Sequence, residues 1–562
     1  MKLAGSERLT VAALAALVAL LCVLPVARLA FEAVLPGGRL DPGLVLGVLQ
    51  ARSTWVATLH TLESAAVGTL IAVALGLVLA LLVGLTDIRG KTALVFFALL
   101  PAMIPPQVTA LAWAQLFGPS SPLLRTLGLA PPIGTPNPLY SAGGIMLLLG
   151  VQHAPLVFLS VRAGLRALPR DLVEAARACG ASRRRVLLTV ILPVMTPPLV
   201  AGAAIAFVSA VGNFGIPALL GIPAGYTVLP TLIYQRLAGF GPAIIGETAV
   251  LSILVGLVAF AGFAVQGLAL RGRDYRLSGT GAPLEPFALG RWRPLAEALV
   301  VGLMLVIVAA PLLGLLATSL VPAYGVPLGP GTATLGNYAE VLFRQDVTVR
   351  AFRNSAALSL GAALVLALVA VPLGMLLVWR GSRLLRALSA AADIPYALPG
   401  IVLGIAAILL FLKPLPLLGF SLYNTIWIIF FAYLARFLVL ELRPIVAGLR
   451  QLDPALDEAA RMTGAGFLFR LRTVILPLVS PMAAAGAILV FMTAFNELTV
   501  SALLWSAGNE TLGVAVFNLD DSGNAPLASA LASVTVVVIL ALMALGSALA
   551  PLLPRGALPW TK

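Results

Sequence analysis

Apolar residues in this chain come in long runs, and the polar residues gather in the gaps between them. A run must reach about 20 residues to cross a bilayer as a helix. The first follows a polar start holding Lys2 and Arg8 and continues to Ala30. It is longer than the core of a cleaved signal peptide, so a retained span is expected. Further runs fall near 56–86, 92–117, 141–161, 194–220 and 243–270. A second set falls near 296–320, 352–379, 385–411, 421–441, 478–505 and 526–552. The pattern predicts an all-α integral membrane protein of about 12 transmembrane helices, six in each half.

The two halves are copies of one unit. Glu174 to Gly202 reads EAARACGASRRRVLLTVILPVMTPPLVAG, and Glu458 to Gly486 reads EAARMTGAGFLFRLRTVILPLVSPMAAAG, with 15 of 29 positions identical. Such a repeat is read before any local detail. Lipid-facing sequence drifts among Leu, Val, Ile and Ala. A retained Glu-Ala-Ala, Gly and Ile-Leu-Pro therefore point to a specific surface and a specific backbone path. Asp171 with Glu174 three residues later forms a capping-box pattern, and Asp453 before Pro454 reads as an N-cap. Gly180 and Gly464 then stand where a helix ends in the left-handed region. The expected unit is a short helix, a Gly corner and a second helix outside the bilayer, leading into a span at Pro193 or Pro477.

Composition fits this pattern. Hydrophobic residues make up 60% of the chain and charged residues 10%, against about 25% charged in soluble domains. The net charge of +14 is explained by the excess of Lys and Arg in cytoplasmic loops and calls for no nucleic acid. With the N-terminus inside, about 26 of the 36 basic residues lie on the cytoplasmic side, as do both Glu-Ala-Ala segments and both termini. Six spans per half give the halves one orientation, a parallel repeat. Cys22 and Cys179 make no disulfide framework, and His60 and His153 are isolated, so no metal site is expected. There is no Gly-rich phosphate loop and no credible Ser-His-Asp set, so the chain is expected not to be an enzyme.

The repeated segment resembles the cytoplasmic motif of ABC importer permeases: E-A-A, three residues, G, about nine residues, I-x-L-P. It matches at Glu174, Ala175, Ala176 and Gly180, and again at Glu458, Ala459, Ala460 and Gly464. The resemblance covers essentially the whole chain, as two permeases fused end to end. It divides the chain into a first half at 1–275 with its coupling motif at 163–193, a cytoplasmic linker at 276–295, and a second half at 296–562 with its motif at 442–477. It implies the type I importer permease fold in a bacterial inner membrane. It further implies two copies of a cytoplasmic ABC ATPase docked on the two motifs, with ATP and Mg used by that partner and no cofactor held by this chain. A periplasmic binding protein would deliver the substrate. Membrane lipid surrounds the spans. Because Arg183-Arg184-Arg185 faces Phe467-Leu468-Phe469 in the alignment, the two ATPase contacts are expected to differ.

The stretch from Gly212 to Pro217, and Asn496-Glu497-Leu498-Thr499-Val500, resemble ferric iron permeases first, then relatives serving thiamine, polyamine and phosphonate. Ionisable groups in spans, and prolines breaking spans at matched places, point to a pathway. The third, fifth, ninth and eleventh spans are expected to line it, with Asn213 on the fifth, Asp393 on the ninth and Asn496 and Glu497 on the eleventh as candidates. A ferric site of hard oxygen donors needs several carboxylate or Tyr ligands, and the spans offer no such cluster. Substrate choice is therefore expected in the binding protein. The rival reading is a carrier of 6+6 spans driven by an ion gradient, which should show buried charged pairs and needs no docking helices.

Overall fold

The computed structural model describes residues 5–39, 41–239, 243–271, 286–414, 419–549 and 551. The first half of the linker expected at 276–295 lies outside the described residues, as does the C-terminal end of the second half. Secondary structure among the described residues is helical, apart from one isolated parallel bridge between Thr86 and Phe287.

The first half runs through α1 (Glu7–Val34), α2 (Arg52–Leu85), α3 (Lys91–Met103), α4 (Pro106–Phe117), α5 (Ala142–Arg166), α6 (Arg170–Ala178), α7 (Arg183–Val194), α8 (Thr196–Val211) and α9 (Ile244–Ala269). The second half repeats it with α10 (Gly290–Ser319), α11 (Asp346–Arg380), α12 (Arg383–Ala397), α13 (Gly400–Phe411), α14 (Ile426–Leu449), α15 (Ala455–Met462), α16 (Phe467–Phe495) and α17 (Ala525–Leu549). Among the described residues, eight helices are long and apolar enough to cross a membrane. Three bent pairs also pass when each is taken as one span: α3 with the stretch from α4 to Thr126, α7 with α8, and α12 with α13. α14, 24 residues long, stands where a further span is expected and does not pass. Arg436, Glu441 and Arg443 set it apart from the others in composition.

Proline shapes both halves in the same way. A ring inside a helix removes an N–H and crowds the carbonyl four residues back. The chain answers with a π-turn two residues ahead of the ring: Ala19–Val23 before Pro25, Leu187–Ile191 before Pro193, Leu305–Ala309 before Pro311, and Leu471–Ile475 before Pro477. Where two prolines adjoin, the helix breaks. Pro197-Pro198 follow a 59° bend between α7 and α8, whereas Met482 replaces the second ring in α16 and that helix continues from Phe467 to Phe495.

Each half is a packed bundle of its own middle helices, with α2 on α5 and α8, and α11 on α14 and α16. Small residues allow the approach. A Cβ added at Gly76 would stand 2.6 Å from the Ala154 carbonyl oxygen. The first helix of each half crosses to the other: α1 lies on α12, α13 and α14, and α10 lies on α3 and α4. The halves are therefore interlocked.

Candidate functional site

The repeated segments form two matched exposed elbows. α6 presents Glu174 and Ala175 to solvent with Ala176 half-buried, and α15 presents Glu458 and Ala459 with Ala460 half-buried. Gly180 (φ 79°) and Gly464 (φ 80°) end the two helices in the left-handed region. Ala181 N–H donates to the Ala176 carbonyl at 3.1 Å, and Ala465 N–H to the Ala460 carbonyl at 3.2 Å, closing the same C-terminal motif. At the start of α15, Asp453 accepts from Ala455 N–H at 2.9 Å. The capping box expected of Asp171 and Glu174 does not form. α6 begins at Arg170, so Asp171 already sits inside the first turn, and Glu174 pairs with Arg170 instead.

The elbows are anchored differently. In the first, Val173 and Val186 are buried. The aligned residues in the second are Asp457 and Arg470, which pair with each other. Arg470 also reaches Glu7 at 2.8 Å, and Arg380 reaches Glu7 at 2.9 Å and Asp457 at 3.1 Å. All four side chains are at least nine-tenths buried, so two acids and two bases neutralise one another out of water. Thus the start of α1, in the first half, is clamped to the elbow of the second. The start of α10 returns the contact: Arg183 donates to the Ala288 carbonyl, and Phe287 N–H donates to Leu85 at 2.6 Å. Leu289 N–H donates to Asp87 at 2.9 Å, and with Arg293 nearby this holds the Asp87 carboxyl below the usual carboxylate range.

A cavity of about 310 Å³ lies where the halves meet. Its walls are the breaks of two of the bent pairs, α3 with α4 and α12 with α13, and the ends of α8 and α16. α3 and α4 diverge by 100° at Ile104-Pro105, and α12 and α13 by 109° at Leu398-Pro399. Gly212 to Gly215 and Asn496 to Thr499 complete the ring, with His153 from α5 and Arg436 from α14. The halves cross over here. Gly212 packs on Pro399, so an added Cβ would stand 3.1 Å from that ring, and Gln107 reaches the Asn496 carbonyl at 3.5 Å.

Three of the four pathway residues expected from sequence line this cavity: Asn213, Asn496 and Glu497. Asp393 does not. It is half exposed and pairs with Arg443 at 2.6 Å. Asn213 and Glu497 occupy aligned positions and perform the same local task. Asn213 accepts from Ile216 N–H at 3.1 Å, and Glu497 accepts from Val500 N–H at 2.9 Å and Ser501 N–H at 3.2 Å. Each caps the backbone that restarts after its helix breaks. Two charged residues of α14 escaped the sequence reading although both stand inside an apolar run. Arg436 faces the cavity. Glu441 is fully buried against Gly486, with neither carboxyl oxygen hydrogen-bonded. No group of three or more His, Cys, Asp or Glu positioned to hold a metal occurs among the described residues.

Comparison with known proteins follows the same two-part plan. The family model described as binding-protein-dependent transport system inner membrane component matches twice, at 72–271 and 370–557. A Sinorhizobium fredii protein described as a probable ABC transporter permease protein is 28% identical over 83% of this chain and 80% of its own length. The ferric transport system permease protein FbpB of Actinobacillus pleuropneumoniae is 26% identical over 82% of this chain; the match spans 66% of that relative's length. A probable sulfate transport system permease protein of Prototheca wickerhamii is 29% identical over 36% of this chain and 78% of its own length.

Proposed function

Since the chain belongs to the family of binding-protein-dependent transport system inner membrane components, we propose that it is the fused permease of an ATP-driven uptake system whose cargo is ferric iron. The observation that carries this reading is the pair of exposed elbows, alike in sequence, exposure and glycine geometry, at the same place in each half. Each elbow docks one copy of a cytoplasmic ATPase, which binds ATP and Mg. Glu174, Ala175, Ala176 and Gly180 form one contact, and Glu458, Ala459, Ala460 and Gly464 the other. A short helix on a left-handed corner, continuous with a span that ends at the cavity, moves as a lever when the ATPases close. The halves are 1–275 and 296–562, joined by a linker at 276–295, and both termini are cytoplasmic. A periplasmic binding protein presents the cargo. Iron ranks first because a ferric permease aligns over most of this chain.

The test is the chain purified from its native membrane with whatever accompanies it, followed by uptake of radioactive ferric iron in proteoliposomes. Two ATPase copies per chain and ATP-dependent uptake are expected. Uptake that survives loss of ATP but collapses with an uncoupler would replace this reading with a gradient-driven carrier.

A further inference from the structure

We propose that the cavity between the halves holds a built site for an anionic oxygen group, with Arg436, Asn496 and the first turn of α13 as its ligands. This rests on the import reading and specifies the chemistry of what passes. The shared chemistry is that of a free oxyanion or of the acidic oxygens of a ferric chelate. A bare ferric ion is excluded by the same residues.

The first observation is an unspent cation. Arg436 is the basic Lys or Arg residue among those lining the cavity, and Glu497 is the acidic one. Glu497 accepts from Val500 N–H and Ser501 N–H and makes no ion pair with Arg436 among the described residues. Arg436 makes no hydrogen bond or ion pair among the described residues, and its Nη1 is shut off from water as well. A buried guanidinium N–H left without an acceptor is costly. Such a group persists where a ligand completes it.

The first half shows that the fold does not require this charge. The residue aligned with Arg436 is Gln152, whose amide donates to the Ile104 carbonyl at the break between α3 and α4, at 3.0 Å. A neutral side chain thus suffices to hold a broken span. In the second half the guanidinium lies against Gly400 instead. A Cβ there would stand 2.6 Å from Nη1, so Gly400 keeps the space that Arg436 occupies.

The second observation is Asn496. It is 8% exposed, it lines the cavity, and neither its Oδ1 nor its Nδ2 has a partner. The third is α13, 12 residues long, which begins at Gly400 beside Arg436 with no side-chain cap. Val402 N–H already donates to the Pro399 carbonyl at 2.9 Å, which leaves Gly400 and Ile401 N–H at the positive end of the helix dipole. Arg436, Asn496 and Gly400 line the same cavity, and a guanidinium, an amide N–H and a helix start can each donate to a negatively charged oxygen. Trivalent iron needs several hard anionic donors. This wall supplies one carboxylate.

The experiment uses the full chain in lipid nanodiscs, titrated calorimetrically with sodium sulfate, inorganic phosphate and ferric citrate. Wild type, Arg436→Gln, Arg436→Lys and Asn496→Ala are compared, each checked for an unchanged thermal midpoint. Wild type should bind at least one of these anions. Arg436→Gln, which installs the first half's residue, should weaken binding about 10- to 100-fold. Arg436→Lys should recover part of it, and Asn496→Ala should lose a few-fold. Binding of sulfate or phosphate alone assigns the site to a free oxyanion. Binding of ferric citrate alone assigns it to the chelate. No binding of any probe by wild type, or equal binding by Arg436→Gln, overturns the proposal. Should Arg436→Gln lose its thermal midpoint, Asn496→Ala decides alone, and unchanged binding by it overturns the proposal. ATP-dependent uptake in proteoliposomes is measured in parallel. Its absence in wild type sinks the import reading, whereas its persistence unchanged in Arg436→Gln, with anion binding also unchanged, sinks only the site.

Discussion

In the first half a glutamine at position 152 donates to the carbonyl of a broken helix, and 284 residues later an arginine occupies the same place and donates to nothing among the described residues. The same contrast recurs along the repeat. Val173 and Val186 become Asp457 and Arg470; Asn213 becomes Glu497; Val157 becomes Glu441. Every one of these substitutions places charge in the second copy where the first is apolar or neutral. The backbone is unmoved by it. The two glycine corners share a φ within a degree, the π-turns that follow them sit two residues ahead of proline, and the matched breaks at Pro105 and Pro399 bend by 100° and 109°. Duplication has preserved the moving frame, and divergence has gone into what fills it. A fused chain permits this, because each half always meets the same partner.

The largest test of the contrast is the charge cluster. Arg470→Leu leaves Asp457 buried with a reduced set of partners, and removing one member of a buried ion pair costs about 3–5 kcal/mol. The expected result is a large fall in the thermal midpoint of the detergent-solubilised chain. The double change Asp457→Val with Arg470→Val copies the first half and should recover most of that loss, while Glu7 and Arg380 still pair at 2.9 Å. If the double variant is as unstable as the single one, the two anchors are not interchangeable solutions to one packing problem.

Next in size is Gln152→Ala. It strips the partner from the Ile104 carbonyl at a buried break, and an unsatisfied buried acceptor costs about 1–3 kcal/mol. Stability measured by denaturation should fall by that amount. The matched change Arg436→Ala should cost less, because Arg436 satisfies no neighbour in the resting chain. Equal losses would mean that the arginine also supports its break.

Gly180→Ala and Gly464→Ala come third. Each forces a side chain into the left-handed region, at about 1–2 kcal/mol. Nothing lies within 4 Å of the added Cβ at either corner, so the penalty is conformational and should be the same in both copies. ATP-dependent uptake should fall in both variants while membrane levels hold. A stability loss at one corner alone would break the equivalence of the elbows.

What the sequence revealed and what it hid divide along physical lines. Proline and glycine act on their own few residues, so the breaks at Pro105 and Pro399 and the corners at Gly180 and Gly464 were legible. The capping box at Asp171 misled, because where a helix starts is settled within a residue or so by its neighbours, here Pro169. Asn213 and Glu497 were recognised as belonging to the pathway wall, but not as caps, since their partners depend on the chain turning back after the break. Glu7 and Arg470 are 463 positions apart, and no periodicity links them. Arg436 and Glu441 are legible as charges inside an apolar run, but what each faces is set by the packing of α14 against other helices.

The elbows differ most on the face just beyond the corner, and this yields the smallest effect and the finest comparison. Arg183, Arg184 and Arg185 are exposed after the first corner, whereas Leu468 and Phe469 are 71% and 64% exposed after the second. A docked ATPase should therefore be held at the first elbow partly by charge and at the second by apolar contact. Cys179 is exposed beside the first corner, and Cys22 is buried, so a water-soluble maleimide should modify Cys179 alone. Thr463→Cys in a Cys179→Thr background places the same reporter at the second corner. Both thiols should be protected when the ATPase is bound. Raising salt from about 0.1 M to about 1 M shortens the screening length from about 10 Å to about 3 Å. Protection of Cys179 should then drop about 3-fold, as expected for exposed ion pairs, and protection at position 463 should hold or rise. Identical salt responses would show that the ATPase reads only what the two copies share, the Glu-Ala-Ala helix and its glycine, and that the charge difference lies outside the contact.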